Sequence, residues 1–241
     1  MESKSNETKK KEQSAINLPE VEEMLKAGVH FGHSRTKLNP KMKDFVLGYQ
    51  QGICILDLTK TRNCLARSLA AIEEAVKKEE KILFIGTRPV VRDLIKELAE
   101  EVNMPYVNNR WVGGTLTNFK IISKRIKHLL DLEEQAKKGE LDKYTKKERL
   151  MIKRQIEKME QKFGGIKKMQ NLPGMVVIAD PKENNLAVWE SKKVGIPIVA
   201  ICDADVDPTL IDYPIPANDE AISSVKMILN LIKSVFEDLK K

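Results

Sequence analysis

The chain has 241 residues, of which 41% are hydrophobic; this suits one domain with or without an insertion and argues against a wholly disordered protein. Lysine and arginine number 42 against 35 aspartates and glutamates, and the net charge of +7 favours polyanionic partners such as nucleic acid. Three cysteines without CxxC spacing, no secretory signal and no apolar run of roughly 18–20 residues predict a reducing, cytoplasmic location and no membrane span.

The N-terminal part of the chain is predicted to hold little regular structure. Residues 1–17 are polar and mixed in charge, and we expect a disordered tail. Order is predicted to begin near Leu18 with a short helix, because Pro19 suits a first helical turn and glutamates follow it; the helix should stop at Gly28. Residues 29–52 are predicted to be irregular because glycine and proline interrupt them.

Short apolar segments then alternate with helices. This alternation of strands and helices implies a parallel sheet covered on both faces. The predicted fold class is therefore α/β, a flavodoxin-like or Rossmann-like three-layer sandwich. For five strands we expect the order 2-1-3-4-5. Thr59 is predicted to cap the helix after the first strand, and Asn218 to cap the last helix. The strands are predicted at residues 53–57, 81–86, 105–108, 175–180 and 197–202.

Residues 119–170 do not follow this alternation of strands and helices. Apolar residues recur there at spacings of three and four along two stretches, which predicts two amphipathic helices in an antiparallel coiled-coil hairpin. Residues 120–170 hold 16 lysines and arginines against 8 aspartates and glutamates, a net +8. We therefore expect a nearly neutral α/β domain, made of residues 18–118 and 171–241, that carries a basic inserted hairpin.

The sequence has three candidate sites for a metal or a cofactor, and for each of them we favour a structural role over ligand binding. No GxGxxG or GxxxxGK[ST] motif follows a strand, so polar residues at strand ends are interpreted as helix caps rather than as a nucleotide site. His30 and His33 have H-x-x-H spacing, but nearby glycines disfavour a helix, and packing or RNA contact is favoured over Zn²⁺. For Asp203, Asp205 and Asp207, turn formation is favoured over a Mg²⁺ site. No catalytic residue, metal or cofactor is therefore expected, with a structural Mg²⁺ or Zn²⁺ as the alternative.

The most unusual segment is RWVGGTLTN at residues 110–118. Its paired glycines allow the backbone to approach a partner closely, arginine suits phosphate, and an aromatic ring can stack on a base. We expect Trp111 to be buried and the polar residues of the segment to serve RNA contact.

Several segments, taken in order, closely resemble the bacterial-type family of the small-subunit ribosomal protein numbered two. The resemblance is carried by GVHFGH at 28–33, NPKM at 39–42, RWVGGTLTN at 110–118 and IPANDEA at 215–221, and it extends from Leu18 almost to the C-terminus. It implies an α/β sandwich with a coiled-coil hairpin inserted after GGTLTN, and a non-catalytic place between the head and body of the subunit. The implied partners are small-subunit rRNA and neighbouring ribosomal proteins, including the large OB-repeat protein.

Two other functional hypotheses remain beside the RNA-binding structural protein. One is an enzyme with a bound ion at the edge formed by residues 203–207, and the other is a coiled-coil adaptor without RNA. If the chain binds RNA, its basic side chains should neutralise phosphates and its amide side chains should contact them, with little base specificity. No small-molecule substrate is expected. The expected RNA contacts are Arg35, Lys37, Lys41, Lys43, Arg62, Arg88, Arg110, Asn118 and Lys120. The first four lie on the segment predicted to be irregular, which we expect to be flexible without RNA.

Overall fold

The computed structural model describes residues 18–239, apart from the side chains of residues 142 and 143, so the predicted tail lies outside the described residues. Within this range the chain forms seven α-helices and eight strands, and none of these helices has the length and apolar character to cross a bilayer. The elements are α1 Val21–Lys26, β1 Phe31–Ser34, β2 Val46–Gln50, β3 Ile53–Leu56, α2 Leu58–Lys77, β4 Ile82–Ile85, α3 Arg92–Glu101, β5 Tyr106–Val107, α4 Phe119–Lys137, α5 Lys146–Phe163, β6 Met175–Ile178, α6 Asn185–Val194, β7 Ile198–Cys202, β8 Tyr213–Pro216 and α7 Ile222–Asp238.

A parallel sheet of five strands forms the centre of the fold, in the order β5-β4-β6-β7-β8. Every residue of β4, β6 and β7 is buried, which explains why these strands are continuous apolar runs in the sequence. Counted along the chain within this sheet, the strand order is 2-1-3-4-5. The predicted α/β class is therefore confirmed.

The identity of one strand in that sheet was predicted wrongly. Residues 53–57 do not supply a parallel strand, because β3 lies between β1 and β2 in a separate antiparallel sheet. The fifth parallel strand is β8, whose sequence YPIP has two prolines. Proline lacks an N–H and is tolerated at a sheet edge, which is where β8 lies. The prediction that residues 29–52 are irregular is likewise wrong, since they contain β1 and β2.

Two predicted helix caps are also displaced. Helix α2 is capped by Asp57 and not by Thr59: the Asp57 Oδ1 accepts hydrogen bonds from the N–H groups of Thr59 at 3.0 Å and Lys60 at 3.4 Å. Helix α7 begins at Ile222, four residues after Asn218, whose side chain instead closes a turn before the helix. An aspartate or asparagine can satisfy free N–H groups in either arrangement.

Two apolar clusters cover the two faces of the parallel sheet. Along β4, Phe84 belongs to one cluster, and its neighbours Leu83 and Ile85 belong to the other, because side chains alternate across a strand. Helices α1, α2, α3 and α7 pack on the first face, whereas α4 and α6 pack on the second. Burying each large apolar side chain contributes about 1.5–3 kcal/mol, so both faces stabilise the sheet.

Helices α4 and α5 form the region that was predicted as a hairpin. They contact each other, and the His128 and Gln155 Nε2 atoms lie 3.4 Å apart between them. The first half of α4 is anchored in the core, since Ile122, Ile126 and Leu129 are buried, but Phe163 is the only buried residue of α5. Most of α5 therefore leaves its side chains accessible.

Candidate nucleic-acid interface

A basic segment between β1 and β2 carries four of the predicted RNA contacts. Arg35 and Lys37 lie in a short 3₁₀ turn, Lys41 and Lys43 lie in a second one, and all four side chains are exposed. The segment is anchored beneath them, because Met42 is fully buried and the backbone N–H of residue 39 donates to the carbonyl of residue 204 at 2.8 Å. The backbone thus holds these cations on the surface of an ordered segment.

Two of these cations already have partners within the chain. The Arg35 guanidinium lies 4.8 Å from the centroid of the Tyr49 ring, a distance at which a cation and an aromatic face attract each other. The Lys41 Nζ lies 2.7 Å from Asp207 Oδ2, and this contact holds the pKa of Asp207 below its usual range. Asp207 also accepts the N–H of Thr209, so the predicted turn role is confirmed for this aspartate.

An acidic cluster lies beside this segment, at the C-terminal ends of the parallel strands. The His33 Nδ1 is 2.8 Å from Asp203 Oδ2, and the His33 N–H donates to Asp203 Oδ1 at 3.0 Å. Asp205 and Glu220 face the other ring nitrogen of His33, at 3.6 and 3.3 Å. No carboxylate is near His33 in the sequence; folding brings these groups together across about 170 residues.

The cluster has the donor atoms that a divalent cation requires. His33, Asp203 and Asp219 each offer a ligand atom, and these atoms lie within 4.8 Å of one another. One imidazole nitrogen and two carboxylates would supply three of the four ligands that a zinc ion usually has. Burial raises the pKa of Asp219 to about 6, with a further increase from the charge of Asp203, whereas the hydrogen bond to Asp203 raises the pKa of His33. His30 does not belong to this donor set.

Arg88 is the predicted RNA contact that lies at this acidic cluster. Its guanidinium nitrogens lie 2.8 Å from Asp219 Oδ1 and 3.0 Å from Glu220 Oε1. The N–H groups of Thr87 and Arg88 donate to Asp180 Oδ2 at 3.0 and 2.9 Å. Helix α3 begins only at Arg92, and its N-cap residue, Val91, makes no side-chain capping hydrogen bond, so the capping role predicted for this strand end is wrong. Arg88 is therefore bound by carboxylates of its own chain.

The RWVGGTLTN segment folds around a single buried carboxylate, Glu190 of α6. Glu190 Oε1 accepts hydrogen bonds from the Trp111 indole at 3.1 Å and from the N–H of Gly114 at 2.7 Å. Its Oε2 accepts the N–H groups of Leu116 at 3.0 Å and Thr117 at 3.1 Å, and also the Thr117 hydroxyl. The paired glycines thus bring the backbone close to a protein carboxylate. Sequence reasoning missed this partner, although the burial of Trp111 was predicted and is confirmed.

These hydrogen bonds keep Glu190 ionised. Burial alone would raise the pKa of Glu190, but the donors from Gly114, Thr117, Trp111 and Leu116 outweigh burial, so the pKa lies below its usual range. One signal of this residue was present in the sequence. Glu190 lies among small and apolar residues of α6 that are buried, so a charge at that position requires a partner.

The remaining predicted contacts lie on other elements. Arg110, Asn118 and Lys120 are exposed and surround the start of α4, and Arg62 is exposed on α2. The side chain of Asn118 makes no capping hydrogen bond, so it remains accessible. The nine predicted residues are therefore spread over the segment after β1, helix α2, the acidic cluster and the start of α4.

Comparison with known proteins identifies the family. The model for the family described as ribosomal protein S2 matches residues 24–238. The small ribosomal subunit protein uS2 of Nitratiruptor sp. is 47% identical over 207 residues, covering 86% of this chain and 78% of that protein. The uS2 protein of Roseiflexus castenholzii is 46% identical over 216 residues, covering 90% of this chain and 82% of that protein. The chain therefore belongs to the ribosomal protein S2 family and is a structural constituent of the small ribosomal subunit, not an enzyme.

Proposed function

We propose that the protein binds small-subunit rRNA at the junction of head and body, chiefly through the basic segment between β1 and β2. The observation that carries this proposal is the exposure of Arg35, Lys37 and Lys43 on a segment whose backbone is fixed by a buried Met42. Lysine and arginine side chains held on a fixed backbone neutralise phosphates without first ordering the chain. Lys41 contacts a phosphate only when its ion pair with Asp207 breaks.

A second group of proposed contacts surrounds the start of α4. Arg110, Asn118 and Lys120 are exposed there, next to the loop that Glu190 fixes. We treat residues 119–170 as an inserted basic arm on an α/β domain of residues 18–118 and 171–241. The excess of 16 basic over 8 acidic residues in 120–170 supports phosphate contact by this arm. Arg62 extends the proposed contacts onto α2.

We also propose that the protein helps to anchor the large OB-repeat ribosomal protein. The outer face of the three-stranded sheet favours a protein contact, because Phe31 and Ile53 are exposed on it and Ile55 pairs with Phe31. Leu47, which lies where the register of β2 against β3 shifts, is 74% exposed. Exposed apolar side chains on one face are typical of protein interfaces.

Sedimentation of cell lysate through gradients of low and high salt tests the rRNA proposal. The test variant combines Arg35→Ala, Lys37→Ala and Lys43→Ala. The matched control removes three exposed lysines elsewhere, through Lys81→Ala, Lys96→Ala and Lys226→Ala, and therefore changes the net charge equally.

We expect the unmodified protein to sediment with small subunits and to be released as salt rises. The test variant should be released at lower salt than the control, because fewer phosphate contacts hold it. Equal release of both variants would reject the basic segment as the site of contact. Migration of the unmodified protein only at the size of a free protein would reject rRNA binding altogether.

A further inference from the structure

A cleft lies between helix α6 and the segment that joins β7 to β8. It encloses about 340 Å³, and its apolar lining includes Val188, Trp189, Val206, Leu210 and Ile211. Pockets for organic ligands begin at about 300 Å³, so this cleft suits a single ring system rather than a large molecule.

Trp189 exposes its indole at this cleft. It is 56% exposed, whereas the other tryptophan, Trp111, is 8% exposed. The adjacent residues of α6, Val188 and Glu190, are buried, so the helix is anchored in the core without the indole. A ring left on the surface is available to a partner, and every nucleobase has a face that stacks on an aromatic ring.

The charges around the indole are compatible with a phosphate. The Lys193 Nζ lies 4.8 Å from the centroid of the Trp189 ring, and within residues 18–239 no carboxylate pairs with Lys193. The two carboxylates that line the cleft are each paired with a lysine, Asp205 with Lys182 and Asp207 with Lys41. The cation beside the ring is therefore available to a phosphate, while the negative charges of the cleft are compensated.

Asn185 adds a polar group to the cleft. It precedes Trp189 by four positions on α6, so the two side chains lie on one face of the helix. Among the described residues, none makes a hydrogen bond with the Asn185 side chain. An amide both donates and accepts hydrogen bonds, as the edge of a nucleobase does.

We propose that this cleft holds one unpaired base of small-subunit rRNA, stacked on the indole of Trp189. The Asn185 amide meets the edge of the base, and Lys193 meets a neighbouring phosphate. This inference rests on the proposed rRNA binding and adds a base contact to it, since the contacts proposed above are with phosphates. An apolar side chain of a protein would fill the same space but leave Asn185 and Lys193 without partners.

Chemical probing of rRNA in purified small subunits tests the base contact. The reagents together modify the base-pairing edges of all four bases, and subunits carrying the unmodified chain are compared with subunits carrying Trp189→Ala or Trp189→Phe. Because Trp189 is exposed, neither substitution should disturb the fold. We expect one unpaired base to become about fivefold or more reactive in Trp189→Ala, since stacking on the ring is lost. Trp189→Phe keeps an aromatic ring and should keep the base protected.

Leu186→Ala is the matched control. It removes an exposed apolar side chain from the same helix, outside the lining of the cleft, and should leave every base unchanged. The proposal is overturned if no base responds to Trp189→Ala, or if Leu186→Ala exposes the same base. It is also overturned if Trp189→Phe exposes the base as strongly as Trp189→Ala, because the change would then not report stacking.

The same subunits separate a failure of this inference from a failure of rRNA binding. If the unmodified chain sediments with small subunits and no base responds to Trp189→Ala, the base contact is rejected and the phosphate contacts stand. If the unmodified chain does not enter small subunits, rRNA binding is rejected and the base contact is rejected with it.

Discussion

Glu190 accepts a hydrogen bond from the indole Nε1 of Trp111 at 3.1 Å, although the two residues are 79 positions apart in the chain. The same carboxylate accepts three backbone N–H groups between residues 114 and 117. Helix α4 begins at Phe119, directly after this loop. Glu190 therefore joins α6 to the chain segment from which α4 departs.

Replacing Glu190 should destabilise the protein, because the substitution disrupts several hydrogen bonds as well as removing a charge. In Glu190→Gln, one carboxylate oxygen becomes an NH₂ group that faces N–H donors and cannot accept from them. We expect the free energy of unfolding, measured by urea denaturation, to fall by about 1–3 kcal/mol. Glu183→Gln, at an exposed position before α6, is the control and should change it by less than about 0.5 kcal/mol. Equal stability of the two variants would contradict the role of the buried carboxylate.

The contribution of Glu190 should also depend on pH. Its pKa in the folded protein is below the ordinary value, so the stabilisation is fully present above the ordinary glutamate pKa. It is lost as the pH falls through the lower, folded pKa, because the unfolded chain binds the proton more readily. The difference in unfolding free energy between the unmodified protein and Glu190→Gln should therefore be constant near pH 7 and shrink in acid. A difference that grows as the pH falls would show that the pKa is raised instead.

Gly165 should tolerate no side chain. A Cβ atom at this position would lie 2.2 Å from the backbone carbonyl oxygen of Tyr106, which cannot move without disturbing β5. We expect Gly165→Ala to lower the free energy of unfolding by about 1–3 kcal/mol. Gly48→Ala is the matched control, because a Cβ there would meet no atom within 4 Å. If both variants unfold at the same urea concentration, the close approach at Tyr106 does not constrain the fold.

Two arginines predicted to contact RNA should respond differently to substitution. Arg35→Ala should reduce the slope of log affinity against log salt by about 0.7–0.9, since one phosphate contact is lost. It should lower the free energy of unfolding by less than about 1 kcal/mol, because only the contact with the Tyr49 ring is lost. Arg88→Ala should instead lower the free energy of unfolding by about 1–3 kcal/mol, because Asp219 would remain buried without its ion pair. The two measurements are salt-dependent rRNA binding and urea denaturation. If Arg88→Ala changes the salt dependence of rRNA binding but not the free energy of unfolding, then Arg88 contacts a phosphate and does not stabilise Asp219.

The parts of the fold that the sequence predicts are those with a local signal. Strands β4, β6 and β7 are continuous apolar runs, and a run of this kind indicates a strand buried on both faces. Strand β8 has two prolines and gives no such run, so it was missed. Strand β3 has an apolar run but pairs with antiparallel neighbours, and which strands pair is decided by contacts far apart in the sequence.

The candidate site was harder to predict for a related reason. Lysines and arginines can be located in the sequence, but their partners cannot, since Arg88 and Asp219 are 131 positions apart. The carboxylates around His33 come from loops that meet only at the end of the sheet. The glycines at 113 and 114 correctly indicate a close approach, but a local pattern does not tell whether the partner is RNA or a protein carboxylate.

The uneven placement of charge affects how the molecule would approach its partner. Residues 120–170 have a net charge of +8, whereas the whole chain has +7, so the rest of the molecule is close to neutral. A molecule charged in this way has a large electric dipole moment. In the field of a polyanion it turns before contact, with helices α4 and α5 leading. Diffusing molecules would then meet their target in few orientations, and productive encounters would be a larger share of all collisions.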